Sequence, residues 1–306
     1  MTEHPLRPAV YDHPAAWPRR LVQRLQALGA RGLLGLLRLL PLDLASALGG
    51  ALGRGVGPRL GISRRARRNL VRAFPDLRPR EVERIVTGMW DNLGRTLFEF
   101  PHMDRLTLDG SEGRVQVVGL EHARALRDGG RAALFVGGHL GNWEIYGRVA
   151  TLVGMPVHLV YRAPNNPYMD PLFRRRGAEE GEMIPKGATG ARRVMALLKR
   201  GQYVGMLVDQ KMNDGIAVPF FGRPAMTAPA VAQFALRDRL PVVPVRIERV
   251  KGAHFRVTVE APFDLPDGGD RAADTLALMT AINARLESWI RERPDQWLWL
   301  HNRWPE

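Results

Sequence analysis

Apolar positions along the chain follow two regimes. Up to Phe100 they recur every three or four residues, the spacing of a helix that buries one face. Arg19 to Ala51 is the most leucine-rich stretch. Leu21, Val22, Leu25 and Leu28 share a helical face there, and Leu33, Leu34, Leu36, Leu37, Leu39 and Leu40 follow, interrupted by Arg31, Arg38, Pro41 and Asp43. Two readings fit this stretch: an interfacial amphipathic helix with arginine at lipid headgroups, and an ordinary core helix. Ser63 to Phe74 predicts a basic helix, with five arginines within ten residues. Pro79 to Phe100 predicts a longer amphipathic helix whose core face is Val82, Ile85, Val86, Met89, Leu93, Leu97 and Phe98.

From Val115 the pattern changes to short apolar runs alternating with helical segments. The runs predict strands at 115–118, 132–136, 157–161, 203–208, 242–248 and 254–260. Between and after them, helices are predicted near 120–129, 142–153, 167–176, 189–200, 228–238 and 270–293. This alternation argues an α/β sheet with helices on its faces, a class in which sites gather at the carboxyl ends of strands. His139, Arg162, and Asp209 with Gln210 each follow such an end.

Arg131 to Gly147, RAALFVGGHLGNWEIYG, is the densest of these junctions. An apolar run short enough for a buried strand leads through two glycines to His139, and Asn142 opens a helical pattern with Glu144 in its first turn. An imidazole and a carboxylate can meet there. In such a pair the carboxylate fixes the tautomer and stabilises the imidazolium, so that histidine can take a proton from a hydroxyl. Spacing alone is weak evidence, because His301 and Glu306 repeat it at the C-terminus, where no turn or pocket is evident. The strand and turn around His139 select it.

Composition narrows the chemistry. There is no cysteine, which excludes disulfides, thiol catalysis and cysteine-ligated zinc. The formal charge is +14, carried almost wholly by arginine, since the lysines are only Lys186, Lys199, Lys211 and Lys251. A GC-rich genome accounts for such a bias, and so does a surface that attracts phospholipid headgroups, nucleic acid or an acidic protein. The first twenty residues lack the apolar core of a secretory signal, so export is not expected. No uninterrupted apolar stretch reaches the length of about 18 residues usual for a spanning helix. No linker forces a second domain; on the interfacial reading, the chain is expected to divide into an N-terminal membrane-associating helical segment at 1–60 and a domain at 61–306 that holds the candidate catalytic residues.

None of the serines, Ser46, Ser63, Ser111 and Ser288, sits in a nucleophile elbow. Nucleotide, zinc-protease and dinucleotide motifs are also missing, which leaves a base that activates an external hydroxyl or water.

Five blocks carry a resemblance: ARRNLVRAFPDL at 66–77, GGHLGNWE at 137–144, VYRAPNNPYMD at 160–170, VDQKMNDGIAVPFFGRPAMT at 208–227 and PDQWLWLHNRW at 294–304. In this order they resemble the lipid A biosynthesis acyltransferases of the glycerolipid and lysophospholipid acyltransferase superfamily. The resemblance implies a mixed, largely parallel sheet and a His-x4-Glu catalytic pair, His139 and Glu144. It implies acyl transfer from a thioester, acyl-carrier protein or coenzyme A, to a hydroxyl of a lipid A precursor, with no metal or other cofactor.

By this resemblance Arg162 is expected to bind the acceptor's phosphate or polar head, with a surface ion pair as the competing reading, and amides near Asn142 are candidates to face the oxyanion. Asp209 and Gln210 shape the acceptor site or make a structural hydrogen bond at a strand end. Phe220 and Phe221 wall an acyl groove or pack in a core turn. Trp297, Trp299, Trp304 and His301 resemble the family's end, with packing expected of Trp299. The implied partners are acyl-carrier protein, anionic membrane lipid and the precursor, without nucleic acid, at the cytoplasmic face of the bacterial inner membrane. Three rival readings stay open: another glycolipid or phospholipid acceptor, a thioester hydrolase, and a basic membrane-binding protein without activity.

Overall fold

The computed structural model describes residues 17–108, 113–172 and 181–304. The leucine-rich start forms two helices, α1 (Trp17–Leu39) and α2 (Leu42–Val56), separated at Pro41, which has no N–H with which to continue the first. The basic stretch is α3 (Ser63–Ala73), and the amphipathic stretch is α4 (Pro79–Glu99). Gly53 lets α2 lie so close to α4 that a Cβ there would run into the Trp90 carbonyl. With its small residues against α4, α2 turns Leu44, Leu48 and Leu52 outward, and α1 exposes Leu21, Leu25, Leu28, Leu33, Leu36 and Leu39. The core-helix reading therefore fails for these leucines. None of the described helices is long and apolar enough to cross a membrane.

The remaining chain forms β1 (Val115–Val118), α5 (Leu120–Asp128), β2 (Ala133–Gly137), α6 (Tyr146–Leu152), β3 (Val157–Tyr161) and β4 (Met183–Pro185). After these come α7 (Ala188–Leu198), β5 (Tyr203–Leu207), β6 (Lys211–Phe220), β7 (Arg223–Thr227), α8 (Ala230–Asp238), β8 (Val242–Lys251), β9 (His254–Val259) and α9 (Arg271–Glu292). Seven strands make one sheet in the order β1-β9-β8-β2-β5-β3-β4, parallel except for the antiparallel pair β8 and β9. The fold is thus α/β with a largely parallel sheet flanked by helices. Strand β4 and the separate hairpin β6–β7 were not predicted. The former is three residues long, and the latter is rich in Asp, Gly and Pro, residues poor in strands.

Strand alternation divides the core between two layers. Leu134 and Val136 of β2 face one cluster, with Val204, Val242, α7, α8 and α9; Ala133 and Phe135 face the other, with Val243, Val245, α5 and α6. Helix α4 departs from its predicted face. Its first half buries Val82, Ile85, Val86 and Met89, but its second half buries Asn92, Thr96 and Glu99 and exposes Leu97. The polar face has a partner, Arg249 of β8, whose Nε donates to Asn92 Oδ1 at 2.9 Å and whose guanidinium pairs with Glu99.

Candidate active site

Strands β2, β5 and β3 are parallel neighbours, so their carboxyl ends open on one edge of the sheet. The loop after β2 brings His139 to that edge, the loop after β5 brings Asp209 and Gln210, and Arg162 directly follows β3. Three segments distant in sequence converge because their strands are adjacent, as the parallel α/β arrangement requires.

The His139 loop is held from below. Gly141 has φ of +54°, and a Cβ on it would lie 2.6 Å from the Ile247 carbonyl oxygen, so conformation and space both require glycine. Its N–H donates to the Gln296 carbonyl at 3.1 Å, and its carbonyl accepts from Asn92 Nδ2 at 2.7 Å. Asn142 is fully buried. Its Oδ1 accepts the Glu144 N–H, starting the short 3-10 turn Trp143–Ile145, and its Nδ2 donates to Glu99 Oε2 at 2.7 Å. The buried Glu99–Arg249 pair therefore anchors the loop. A pair so enclosed adds little net stability but fixes position, because loss of either partner leaves the other charge unmatched.

The C-terminal segment completes the clamp. Leu298 N–H donates to the His139 carbonyl at 3.1 Å, and the Trp297 indole donates to Asp209 Oδ2 at 2.8 Å. Asp209, fully buried, takes two further donors from His139: the backbone N–H at 2.8 Å on Oδ2 and the ring Nδ1 at 2.7 Å on Oδ1. Burial alone would raise the Asp209 pKa, but the charge and hydrogen bonds of His139, with a smaller contribution from His301, hold it well below the ordinary carboxylate range. An ionised carboxylate only accepts, so Nδ1 carries a proton, and in the neutral imidazole this leaves the lone pair on Nε2. The Gln210 amide nitrogen lies 3.1 Å from that Nε2 and 3.1 Å from Nε2 of His301. Burial, with the nearby charge of His139, pushes His301 down to about 4.

A cavity of about 220 Å³ opens above these groups. The strand ends contribute His139, Arg162, Lys186 and Gln210 to its lining, and the strand bodies contribute apolar side chains such as Val157, Leu159 and Leu207. Partial desolvation and Arg162 lower the Lys186 pKa, against an opposing pull from Asp209. Glu144 lines the same cavity and accepts the Trp143 indole N–H at 3.0 Å. The carboxylate on Nδ1 is thus that of Asp209, which the sequence placed at the acceptor site or in a strand-end hydrogen bond.

Phe220 and Phe221 do not line this cavity. They pack with Trp297, Trp299, Trp304 and Phe74 in a buried aromatic cluster, as in the core-turn reading. His301, set aside as an accident of spacing, sits with its ring 5.3 Å from that of His139; Glu306 lies outside the described residues. Only its place in the last of the five blocks that resemble the family pointed to it. Lys186 carried no signal, since a lone lysine before a helix has no distinguishing pattern.

The model of the bacterial lipid A biosynthesis acyltransferase family matches residues 17–306. The chain belongs to that family. It is similar to the lipid A biosynthesis lauroyltransferase of Escherichia coli K12, 29% identical with 99% of this chain and 96% of the relative covered. It is also similar to the palmitoleoyltransferase of the same organism, 27% identical over 78% of this chain and 77% of the relative. A third relative, the Escherichia coli K12 myristoyltransferase, is 25% identical over 81% and 77%. Among solved structures, the 1-acyl-sn-glycerophosphate acyltransferase of Thermotoga maritima matches with a TM-score of 0.36 and 15% identity, covering 87% of this chain and 97% of that one. As a family member the protein is an acyltransferase.

Proposed function

We propose that this enzyme moves a fatty acyl chain from a thioester, acyl-carrier protein or coenzyme A, onto a hydroxyl of a lipid A precursor. One observation carries the reading: an imidazole whose Nδ1 is held by a buried carboxylate turns Nε2 to a cavity with cationic groups at the strand ends and apolar side chains along the strands. The acceptor hydroxyl replaces the Gln210 amide on Nε2 and gives up its proton. The resulting alkoxide attacks the thioester carbonyl carbon. Amides of Gly141, Glu144 and Ile145 already donate to partners among the described residues, so the candidates for the oxyanion are those of Asn142 and of Trp143, which lines the cavity. Collapse of the tetrahedral intermediate breaks the carbon–sulfur bond, and the imidazolium protonates the departing thiolate.

Asp209 orients His139 in this scheme, and the Glu144 carboxylate adds negative charge to the cavity in which the imidazolium forms. Arg162 and Lys186 take a phosphate of the acceptor. The outward leucines of α1 and α2 support peripheral attachment to a bilayer, since an apolar surface of that extent is rarely left to water. The formal charge of +14 supports docking of acidic carrier protein and anionic lipid.

Mass spectrometry of lipid A from cells with the intact gene, its deletion, or His139→Ala at matched expression tests the reading. Loss of one secondary acyl chain in both altered strains is expected. Unchanged lipid A in a strain with no second enzyme for that position would refute it.

A further inference from the structure

The catalytic cavity runs down the sheet from the carboxyl edge. On β3, Val157, Leu159 and Tyr161 alternate onto one face and all line it. Four steps along the strand, from Val157 to Tyr161, at roughly 3.3 Å each make this trough about 13 Å long. Gly205 of β5 forms part of its floor, and there the bare backbone leaves room for a neighbour: a Cβ would lie 2.7 Å from Leu159 and 3.0 Å from the Tyr146 ring. Val157 begins β3, at the opposite end of the strand from the carboxyl edge, while the Tyr146 ring reaches from Gly205 toward Gly137, where a Cβ would lie 4.0 Å from it; both residues are shared with a second cavity beyond them.

That second cavity, about 40 Å³, is lined by Leu120, Ala123, Phe135, Val149, Val245 and Val257 among others. Apart from Tyr146, every residue around it has an apolar side chain. Such a space holds no attraction for water, which needs two or more polar partners, but it suits hydrocarbon. The Tyr146 hydroxyl is buried with no hydrogen-bond partner among the described residues, so what this side chain contributes at the joint is ring volume. Its position is fixed, because Tyr146 begins α6 directly after the 3-10 turn that carries Glu144.

We propose that Tyr146, backed by Val157, is the stop that sets the length of the acyl chain. The inference rests on the acyl-transfer reading above. The thioester carbonyl lies at His139, the chain follows the trough along β3 and β5, and its terminal methyl meets the Tyr146 ring. The second cavity is the space that a longer chain enters once the ring is removed.

Purified enzyme, Tyr146→Ala, Tyr146→Phe and Leu159→Phe are each offered an equimolar ladder of saturated acyl thioesters that differ by two carbons, with a lipid A precursor as acceptor. Products are read by mass spectrometry. Tyr146→Ala should move the preferred donor upward by at least two carbons, with about tenfold gain for the longer chain, the partition expected for two further buried methylenes. Leu159→Phe fills the trough and should move the preference downward, an opposite shift that no general loss of folding produces. Tyr146→Phe keeps the ring and should keep the wild-type preference.

An unmoved preference in Leu159→Phe and in folded Tyr146→Ala would overturn the stop, as would Tyr146→Phe behaving like Tyr146→Ala. If Tyr146→Ala does not fold, Leu159→Phe decides. Failure of the wild type to acylate the precursor from any donor would instead refute the acyl-transfer reading itself.

Discussion

Asp209 accepts the Nδ1 proton of His139, its backbone N–H and the Trp297 indole, three donors for two oxygens. Asp209→Asn keeps the shape but offers an N–H where an acceptor is needed, which drives His139 toward the tautomer with no lone pair on Nε2. The turnover number for acyl transfer should fall by about 10³- to 10⁴-fold, the scale seen when a triad aspartate is replaced, with the circular dichroism spectrum unchanged. Glu144→Gln measured in parallel separates the two carboxylates; a smaller loss than for Asp209→Asn is expected, since the Nδ1 hydrogen bond survives. His301 gives a pH signature. Burial, with His139, holds it at about 4, below the ordinary value of roughly 6.5, so the unfolded chain binds a proton in that window that the folded chain does not. Stability should therefore fall as pH drops from about 6.5 toward 4, by up to roughly 3 kcal/mol. Urea titrations across this range should show a flatter dependence for His301→Gln. Asp209 acts in the same direction lower down, its stabilisation being present above about pH 4 and lost as its carboxylate protonates.

At the scale of elements, the N-terminal helices divide their surfaces in an unusual way. Helix α2 uses small residues for a close fit to α4 and leaves Leu44, Leu48 and Leu52 outside, the reverse of a helix that enters a core by its large side chains. Gly53→Val would force the two backbones apart and should cost about 1–3 kcal/mol of stability in denaturant titration, the range for overpacking a tight contact. Charging the outer face instead tests attachment. Leu25→Glu together with Leu28→Glu and Leu36→Glu places acid on exposed positions, so the melting temperature should change little while co-sedimentation with anionic vesicles drops several-fold. Vesicle binding that survives these changes would place the membrane surface elsewhere on the molecule.

For the whole molecule, the formal charge of +14 predicts that the proposed association with an anionic bilayer depends on ionic strength. Each well-placed cation near such a surface is worth about 1 kcal/mol, and screening shortens its reach. Binding to vesicles rich in anionic lipid should weaken as salt rises from about 0.05 to 0.5 M, while a remainder, due to the leucines, persists on neutral vesicles. The strand order of the sheet explains why the site is assembled from distant parts. A strand end in the centre of a largely parallel sheet supplies His139, its neighbour supplies Asp209, and the C-terminal segment seals both from below.

The sequence by itself determined the local parts. Alternating short apolar runs and helical periods announced an α/β sheet, the glycine turn after β2 marked His139, and five ordered blocks pointed to the family. These are properties of neighbours in the chain, where backbone preference and side-chain period act. Tertiary structure decided which carboxylate reaches the imidazole, since Asp209 is 70 residues from His139 and meets it only because β5 pairs with β2. It likewise decided that His301 belongs to the site, that Phe220 and Phe221 belong to the core, and that the second half of α4 buries polar side chains around Arg249. Those outcomes depend on strand order and on packing between distant segments, and a local pattern of residues holds no record of either.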